Sequence, residues 1–186
     1  MSAAFEAIGS EIKWEGVVVH AGVERFRYAD GTEVTRDKVW HPGAVGIIAL
    51  DDEHVWLTRQ PREVIAASAS LEIPAGKLDV PGEPPLETAK RELAEEIGKH
   101  AEQWAELLAF YTSTGFSDER VWLYLATGLS DSPAVEVDED ERIEIVPWPL
   151  ASLDEAIAAC EDSKSLIALL WLAARPDAAR RRSGRR

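Results

Sequence analysis

The sequence predicts a mixed α/β protein of the α+β class, with strands gathered around one central helix and short helices closing the chain. Three observations carry that expectation. The first sixty residues hold short runs rich in β-branched and aromatic residues, separated by turn signals. One central stretch, Pro85 to Lys99, switches to a helical period. Beyond it, further strand-like runs give way to two short apolar segments of helical character.

Taken in order, Trp14 to His20 (WEGVVVH) and Val23 to Ala29 (VERFRYA) read as strands. Asp30-Gly31 is a hairpin turn signal, and Thr32 to Trp40 is the returning strand. Pro42-Gly43 breaks the run. Ala44 to Leu50 (AVGIIAL) is apolar throughout, as in a strand covered on both faces. Asp51-Asp52 then turns the chain into a strand over His54 to Gln60. Leu71 to Pro74 leads to Gly76 and a loop rich in Pro and Gly that runs through Pro85. In the helix that follows, Leu86, Ala89, Leu93 and Ile97 form one apolar stripe. Two prolines open it, where a missing N–H costs little, and Gly98 ends it. Strands are expected again at Ala105 to Thr112, Val121 to Thr127 and Ile143 to Val146, and helices at Leu153 to Cys160 and Leu166 to Ala174.

Composition narrows the function. A chain of 186 residues with 46% hydrophobic content and seven Trp can build one sizeable core, which excludes a wholly disordered chain or a fibre. Thirty-four acidic against 20 basic residues leave a formal net charge of −14. That balance argues against gripping nucleic acid or an anionic membrane by charge, and it leaves carboxylates to hold a cation. The single Cys excludes an intramolecular disulfide and a four-thiolate zinc site. The opening MSAAFEAIGS lacks the basic and apolar parts of an export signal, and the apolar run Leu166 to Ala174 is half of a spanning helix. The cytoplasm is the expected compartment. The last twelve residues carry six Arg and one Asp and read as a solvated, disordered tail, with an arm for RNA or an acidic partner as the sharper alternative.

The chemistry concentrates in RELAEE, Arg91 to Glu96. At 100° per residue, Glu92 and Glu96 lie about 40° apart, one turn from each other, with Glu95 on the neighbouring line. Like charges at i and i+4 destabilise an isolated helix, and a hard divalent cation offsets that repulsion through oxygen coordination. Glu83 adds a carboxylate from the preceding loop, and Arg91 can pair with Glu87 or Glu95. The bland alternative, a solvated acidic helix face, is the commoner fate of such a run.

The run has context. The stretch from Gly76 through Glu83 to Arg91-Glu92-Leu93-Ala94-Glu95-Glu96-Ile97-Gly98 resembles the signature of the Nudix hydrolases. From Glu83 to Gly98 it agrees with that signature in spacing and residue type. Two positions depart from it: six residues rather than five separate Gly76 from Glu83, and Lys99 stands where an aliphatic is usual. LEIPAG (Leu71 to Gly76), FYTSTGFSDE (Phe110 to Glu119), RQPR (Arg59 to Arg62) and the acidic DEDERIEI (Asp138 to Ile145) are similar to the ADP-ribose pyrophosphatase branch. Thr114 departs from that branch, which usually has Pro before the Gly-Phe pair.

The resemblance implies a Nudix-type α/β/α sandwich with an N-terminal antiparallel strand region. It implies a possible dimer contact over residues 1–40, a catalytic domain over 41–174 and the basic tail over 175–186. It implies hydrolysis of the pyrophosphate bond of ADP-ribose to AMP and ribose 5-phosphate with Mg²⁺, or Mn²⁺ in its place. Glu92 and Glu96 would be the main metal ligands, with the carbonyl of Ala75 as a third. Glu95 would ligate or tune them, Arg91 would orient them, and Gly76 would let the backbone pass close. The general base would come from the acidic loop, at Glu141 or Glu139. Arg36 and Arg62 would contact phosphate or nucleobase, and Glu72 would accept from a ribose hydroxyl, with a rim ion pair as the competing role for Arg62. Thr114 would line the site and loosen its selectivity. A homodimer is expected on the same ground. Two alternatives stay open: another nucleoside diphosphate derivative as substrate (a sugar nucleotide, a dinucleoside polyphosphate or an oxidised nucleotide), or a nucleotide sensor that does not cut. The scattered histidines and Cys160 are read as structural.

Overall fold

In the computed structural model, which describes residues 4–132 and 142–175, two units separate. The smaller comprises the described residues up to Gly43 with Phe110–Arg120, and the larger holds Ala44–Ala109 and the described residues from Val121 onward.

The smaller unit is an antiparallel sheet of β1 (Phe5–Glu15), β2 (His20–Tyr28) and β3 (Glu33–Trp40), in that order. Phe5 pairs with Tyr28 and Glu15 with His20, and Arg27 pairs with Glu33 across the second ladder. The Asp30-Gly31 hairpin forms as expected, with the Thr32 N–H donating to Asp30 Oδ1 at 2.9 Å. The first strand does not run from Trp14 to His20. It begins at Phe5 and ends at Glu15, and Val17 and Val18 are exposed in the turn that follows. Glu6, Ser10, Glu11, Lys13 and Glu15 break up its apolar residues, so it lacks the apolar run by which the other strands announce themselves. Residues 110–120 join this unit through two backbone bonds, Val39 N–H to Phe116 O at 2.7 Å and Asp118 N–H to Val39 O at 3.2 Å.

The larger unit is built on β4 (Ala44–Leu50), buried along its whole length. Its seven-stranded sheet runs β10 (Glu144–Pro149), β5 (His54–Arg62), β4, β9 (Arg120–Asp131), β8 (Lys99–Tyr111), with β6 (Ala67–Glu72) on β5 and β7 (Ala75–Lys77) on β4. β4 and β9 are parallel, and the other recorded pairings are antiparallel. β4 changes antiparallel partner along its length: Ala44 to Gly46 pair with β7, and Ala49 and Leu50 with β5. That change brings the backbone of Ala75 and Gly76 beside the strand. Helix α1 (Pro85–Ile97) buries Ala89, Leu93 and Ile97 against Val45, Ile47 and Ala49, so the predicted stripe is the packed one. It stops where Gly98 takes the left-handed conformation at φ 63° and donates to Ala94 O. On the opposite parity of β4, the Ile73 side chain fills the space beside Gly46. α2 (Leu153–Ala159) and α3 (Ser163–Ala173) follow β10, and α3 packs on β4 and β6. The result is the expected α/β/α sandwich.

β6 and β7 carry no sequence signal because Pro74 and small residues interrupt them. β8 begins six residues before the expected Ala105, directly at the helix stop. Among the described residues no helix is long and apolar enough to cross a membrane. Glu139, Asp140, Glu141 and residues 176–186, where a base and a basic tail are expected, lie outside the described residues.

Candidate functional site

One guanidinium organises the acidic face of α1. Arg91 Nη1 donates to Glu92 Oε1 at 2.9 Å and to Glu95 Oε2 at 2.8 Å, and its Nη2 donates to Glu83 Oε2 at 3.3 Å. Three carboxylates thus share one cation. The second partner foreseen for Arg91, Glu87, pairs instead with Lys90 at 2.8 Å. Burial works against the charge on Arg91, and the hydrogen bond to Glu83 with the pull of Glu92 and Glu95 outweighs it, raising the guanidinium pKa. Glu83 is held below the usual carboxylate range by the Thr88 hydroxyl, which donates at 2.8 Å, and by Arg91. Thr88, fully buried in the first turn of α1, is a site residue that the sequence did not reveal.

The fourth carboxylate has a different holder. Glu96 is 8% exposed, and its Oε2 accepts from the Ala75 N–H at 2.9 Å. The next residue, Gly76, lies against Glu92: a Cβ added there would fall inside the Glu92 carboxyl group. Only glycine leaves that space, so the backbone at Ala75-Gly76 and the two carboxylates one turn apart on α1 are fitted to each other. Among the described residues, no three His, Cys, Asp or Glu side chains already stand at the spacing of a metal cage. The donors available, the α1 carboxylates with Glu92 fitted into the space Gly76 leaves and the backbone carbonyls of the neighbouring strand, are those a hard divalent cation takes. The residues present fit such an ion, and Glu92, Glu96 and the Ala75 carbonyl would hold it.

Two other groups of candidates are carried by other elements than α1. Arg62 clamps Glu72 with Nε and Nη2, each at 2.7 Å. Glu72 is only 2% exposed, and Lys164 stands 3.9 Å from it. The Glu72 hydrogen bond chiefly raises the Arg62 pKa, and Glu96 contributes through space. In the smaller unit, Arg36 and Thr114 line one cavity of about 410 Å³, together with Phe5, Phe26, Tyr28 and Phe116. Lys38 on its wall pairs with Glu24 at 2.8 Å and Asp118 at 3.3 Å, a network with no signal in sequence. Thr114 takes the first corner of a turn in which Ser113 O accepts from Ser117 N–H at 2.9 Å. Cys160 is buried, its thiol donates to Leu71 O at 3.2 Å, and burial pushes its pKa up, as befits a core residue.

Comparison with known proteins agrees with this geometry. The NUDIX domain profile matches residues 40–170. An ADP-ribose pyrophosphatase of Mycobacterium tuberculosis is 42% identical over 149 residues, covering 79% of this chain and 72% of its own. A methanol dehydrogenase activator of Bacillus methanolicus is 40% identical over 174 residues, covering 90% of this chain and 91% of its own. A crystal structure of an ADP compounds hydrolase superposes with a TM-score of 0.77 at 24% identity, over 92% of this chain and 95% of that one.

Proposed function

The chain belongs to the NUDIX family, and on that premise we propose that it hydrolyses the pyrophosphate bond of ADP-ribose to AMP and ribose 5-phosphate. The observation that carries the reading is the fit between Gly76 and the α1 carboxylates, with Arg91 holding Glu83, Glu92 and Glu95 in one array. A binding protein that did not cut would have no use for the whole set.

Mg²⁺ is the proposed ion, with Mn²⁺ as its substitute. When bound, it neutralises pyrophosphate charge and supplies an activated water. Glu92, Glu96 and the Ala75 carbonyl hold it, and Glu95 tunes the same array. Arg91 orients the carboxylates and keeps its charge throughout. Glu141, or Glu139 two residues before it, accepts the proton of the attacking water as the P–O bond to the leaving group breaks. Arg62 contacts phosphate with the half-exposed part of its guanidinium while Glu72 fixes the rest. Glu72 would reach a ribose hydroxyl only by giving up part of that clamp. In the smaller unit, the aromatic walls and Arg36 suit a nucleobase and a phosphate.

Exposed Phe5, Ile12 and Trp14 support the proposal that residues 1–40 pack against a second copy, with residues 41–174 as the catalytic domain. The cytoplasm is the proposed place of action.

A second reading keeps the chemistry and changes the substrate to another ADP-linked nucleotide. Two observations favour keeping it: Thr114 at the turn, and a relative of similar identity that is named an activator. Incubating the protein with ADP-ribose, ADP-glucose and dinucleoside polyphosphates in Mg²⁺, and resolving products by chromatography, separates the two. ADP-ribose should be cleaved to AMP and ribose 5-phosphate, with modest discrimination against ADP-glucose. No cleavage of ADP-ribose would put the second reading first, and no cleavage of any member would sink both.

A further inference from the structure

The segment Leu71–Ala75, which delivers the Ala75 amide to Glu96, is held at every residue. Leu71 O accepts from the Cys160 thiol at 3.2 Å, and both Glu72 oxygens accept from Arg62 at 2.7 Å. The Ile73 N–H donates to Ser165 Oγ at 2.9 Å. Pro74 O accepts from the Ile47 N–H at 2.9 Å, and the Ala75 N–H donates to Glu96 Oε2 at 2.9 Å. A segment without regular strand pairing over Ile73 and Pro74 is therefore as tightly anchored as the strands beside it.

The Ser165 anchor has a further property. Ser165 is fully buried in the first turn of α3, and a serine hydroxyl can either donate or accept. Asp162 Oδ2 decides which. It accepts from the Ser165 backbone N–H at 2.9 Å and from the Ser165 hydroxyl at 2.6 Å. An ionised carboxylate only accepts, so the hydroxyl proton is committed to Asp162 and the Oγ lone pairs face Ile73. Lys164 Nζ holds the other carboxylate oxygen at 2.7 Å, keeping Asp162 charged and aimed.

The geometry points to Ser165, oriented by Asp162, as a positioning residue of the divalent-cation site. It fixes the Ile73–Ala75 backbone so that the Ala75 amide holds Glu96 and Gly76 stays beneath Glu92. This inference rests on the assignment of Glu92 and Glu96 as cation ligands. Ser165 touches no substrate and acts at second hand, from the opposite face of the sheet to α1.

The test is Mn²⁺ binding to the full chain without substrate, read as free Mn²⁺ by electron paramagnetic resonance. Ser165→Ala leaves the Ile73 N–H without its acceptor, and the Mn²⁺ Kd should rise about tenfold, the usual scale for an outer partner of a metal ligand. Leu172→Ala, which opens a cavity in the same helix, should lower Tm while leaving the Mn²⁺ Kd within about twofold of wild type. Asp162→Ala should weaken Mn²⁺ binding in the same direction, and Asp162→Asn, which keeps an acceptor oxygen, should restore most of it. Wild-type affinity in Ser165→Ala overturns the role, as does an equal loss in Leu172→Ala. Should Ser165→Ala fail to fold, the two Asp162 variants decide, and equal affinities in them overturn it. Glu96→Gln measured alongside separates the levels. If it loses Mn²⁺ and Ser165→Ala does not, only the positioning role falls. If Glu96→Gln binds as wild type, the cation assignment itself falls.

Discussion

Two charged clusters in the larger unit use the same residue types and are balanced differently. On α1, Glu83, Glu92 and Glu95 share the single guanidinium of Arg91, and Glu96 adds a fourth carboxylate one turn after Glu92. At the start of α3, Glu72 and Asp162 face Arg62 and Lys164, two charges of each sign. The second cluster is complete as it stands. Among the described residues, the first sets four carboxylates against Arg91, with Arg62 pulling on Glu96 only through space, and that excess of negative charge is tolerable where a further cation can enter. Balance therefore separates a charged cluster that closes on itself from one built to take a further cation.

The largest effect should come from removing charge at the unbalanced cluster. Glu96→Gln retains an oxygen for the Ala75 N–H and loses the negative charge, so kcat should fall at least about a hundredfold, as for other losses of charge stabilisation at a reacting centre. Tm should hold or rise, because crowding with Glu92 at i, i+4 is relieved. Near-normal turnover in a pure preparation would remove Glu96 from the site.

Gly76→Ala attacks the same cluster through shape. The added Cβ meets the end of a flexible Glu92 side chain, which can swing away, so stability should drop by only about 1 kcal/mol. The carboxylate would then be out of place, and kcat should fall by roughly tens of fold. Steady-state kinetics and thermal melts on one sample check both. A variant that loses stability and keeps activity would mean that Glu92 is not placed by Gly76.

The two clusters were unequally legible in the sequence. RELAEE announces itself because helical spacing sets Glu92 and Glu96 on one side and puts Arg91 within reach of Glu95. Glu83 is visible as a carboxylate in the loop just before the helix and gains its fixed place from the longer signature, and Thr88 is not visible at all, since a buried threonine in a first turn looks like any other. The α3 cluster joins residues 62, 72, 162, 164 and 165, brought together by β5, β6 and α3, and no periodicity connects them. Arg62 and Glu72 were visible as a charge and an acceptor, but their mutual clamp was not. One local cue existed: Asp162 stands three residues before Ser165, the spacing of a helix cap. For the fold, β4 and α1 were plain from apolar run and period. β1, β6 and β7 were not, since charge alternation and Pro74 remove the signal.

The clusters should also answer differently to added metal. Arg62→Met leaves Glu72 buried with Lys164 as its one remaining cation, costing about 2 kcal/mol, moderated because Arg62 is partly exposed. Arg91→Met should cost less, since its partners reach water more easily. Mg²⁺ in excess should then recover stability in Arg91→Met by more than it stabilises wild type, because it supplies the charge the guanidinium gave. In Arg62→Met the Mg²⁺ increment should be no larger than that of wild type, because Arg62 helps anchor the Leu71–Ala75 segment and gives no charge that the ion replaces. Melts with and without Mg²⁺ read this directly, and equal increments in both variants would mean that balance is not what distinguishes the clusters.

The smallest effect concerns acid. Burial alone would raise the Asp162 pKa, and Lys164 with the Ser165 N–H and hydroxyl outweighs it, so the folded value lies below the unfolded one. A depressed carboxylate contributes stability that is fully present above its unfolded pKa of about 3.9, and this is lost as pH falls through the lower folded value. Glu83 is shifted in the same direction by Thr88 and Arg91, in a more open setting. Asp162→Asn has no proton to take up there. Its Tm should therefore fall less steeply than wild type between about pH 5 and pH 3. Mg²⁺ should leave this difference nearly unchanged, because Asp162→Asn keeps the acceptor oxygen that orients Ser165 and with it most of the cation affinity. An Asp162→Asn acid limb as steep as wild type would show that the cap is not the group titrating. A limb that flattens only when Mg²⁺ is present would mean that the Asp162 charge itself, and not only its acceptor oxygen, acts on the cation site.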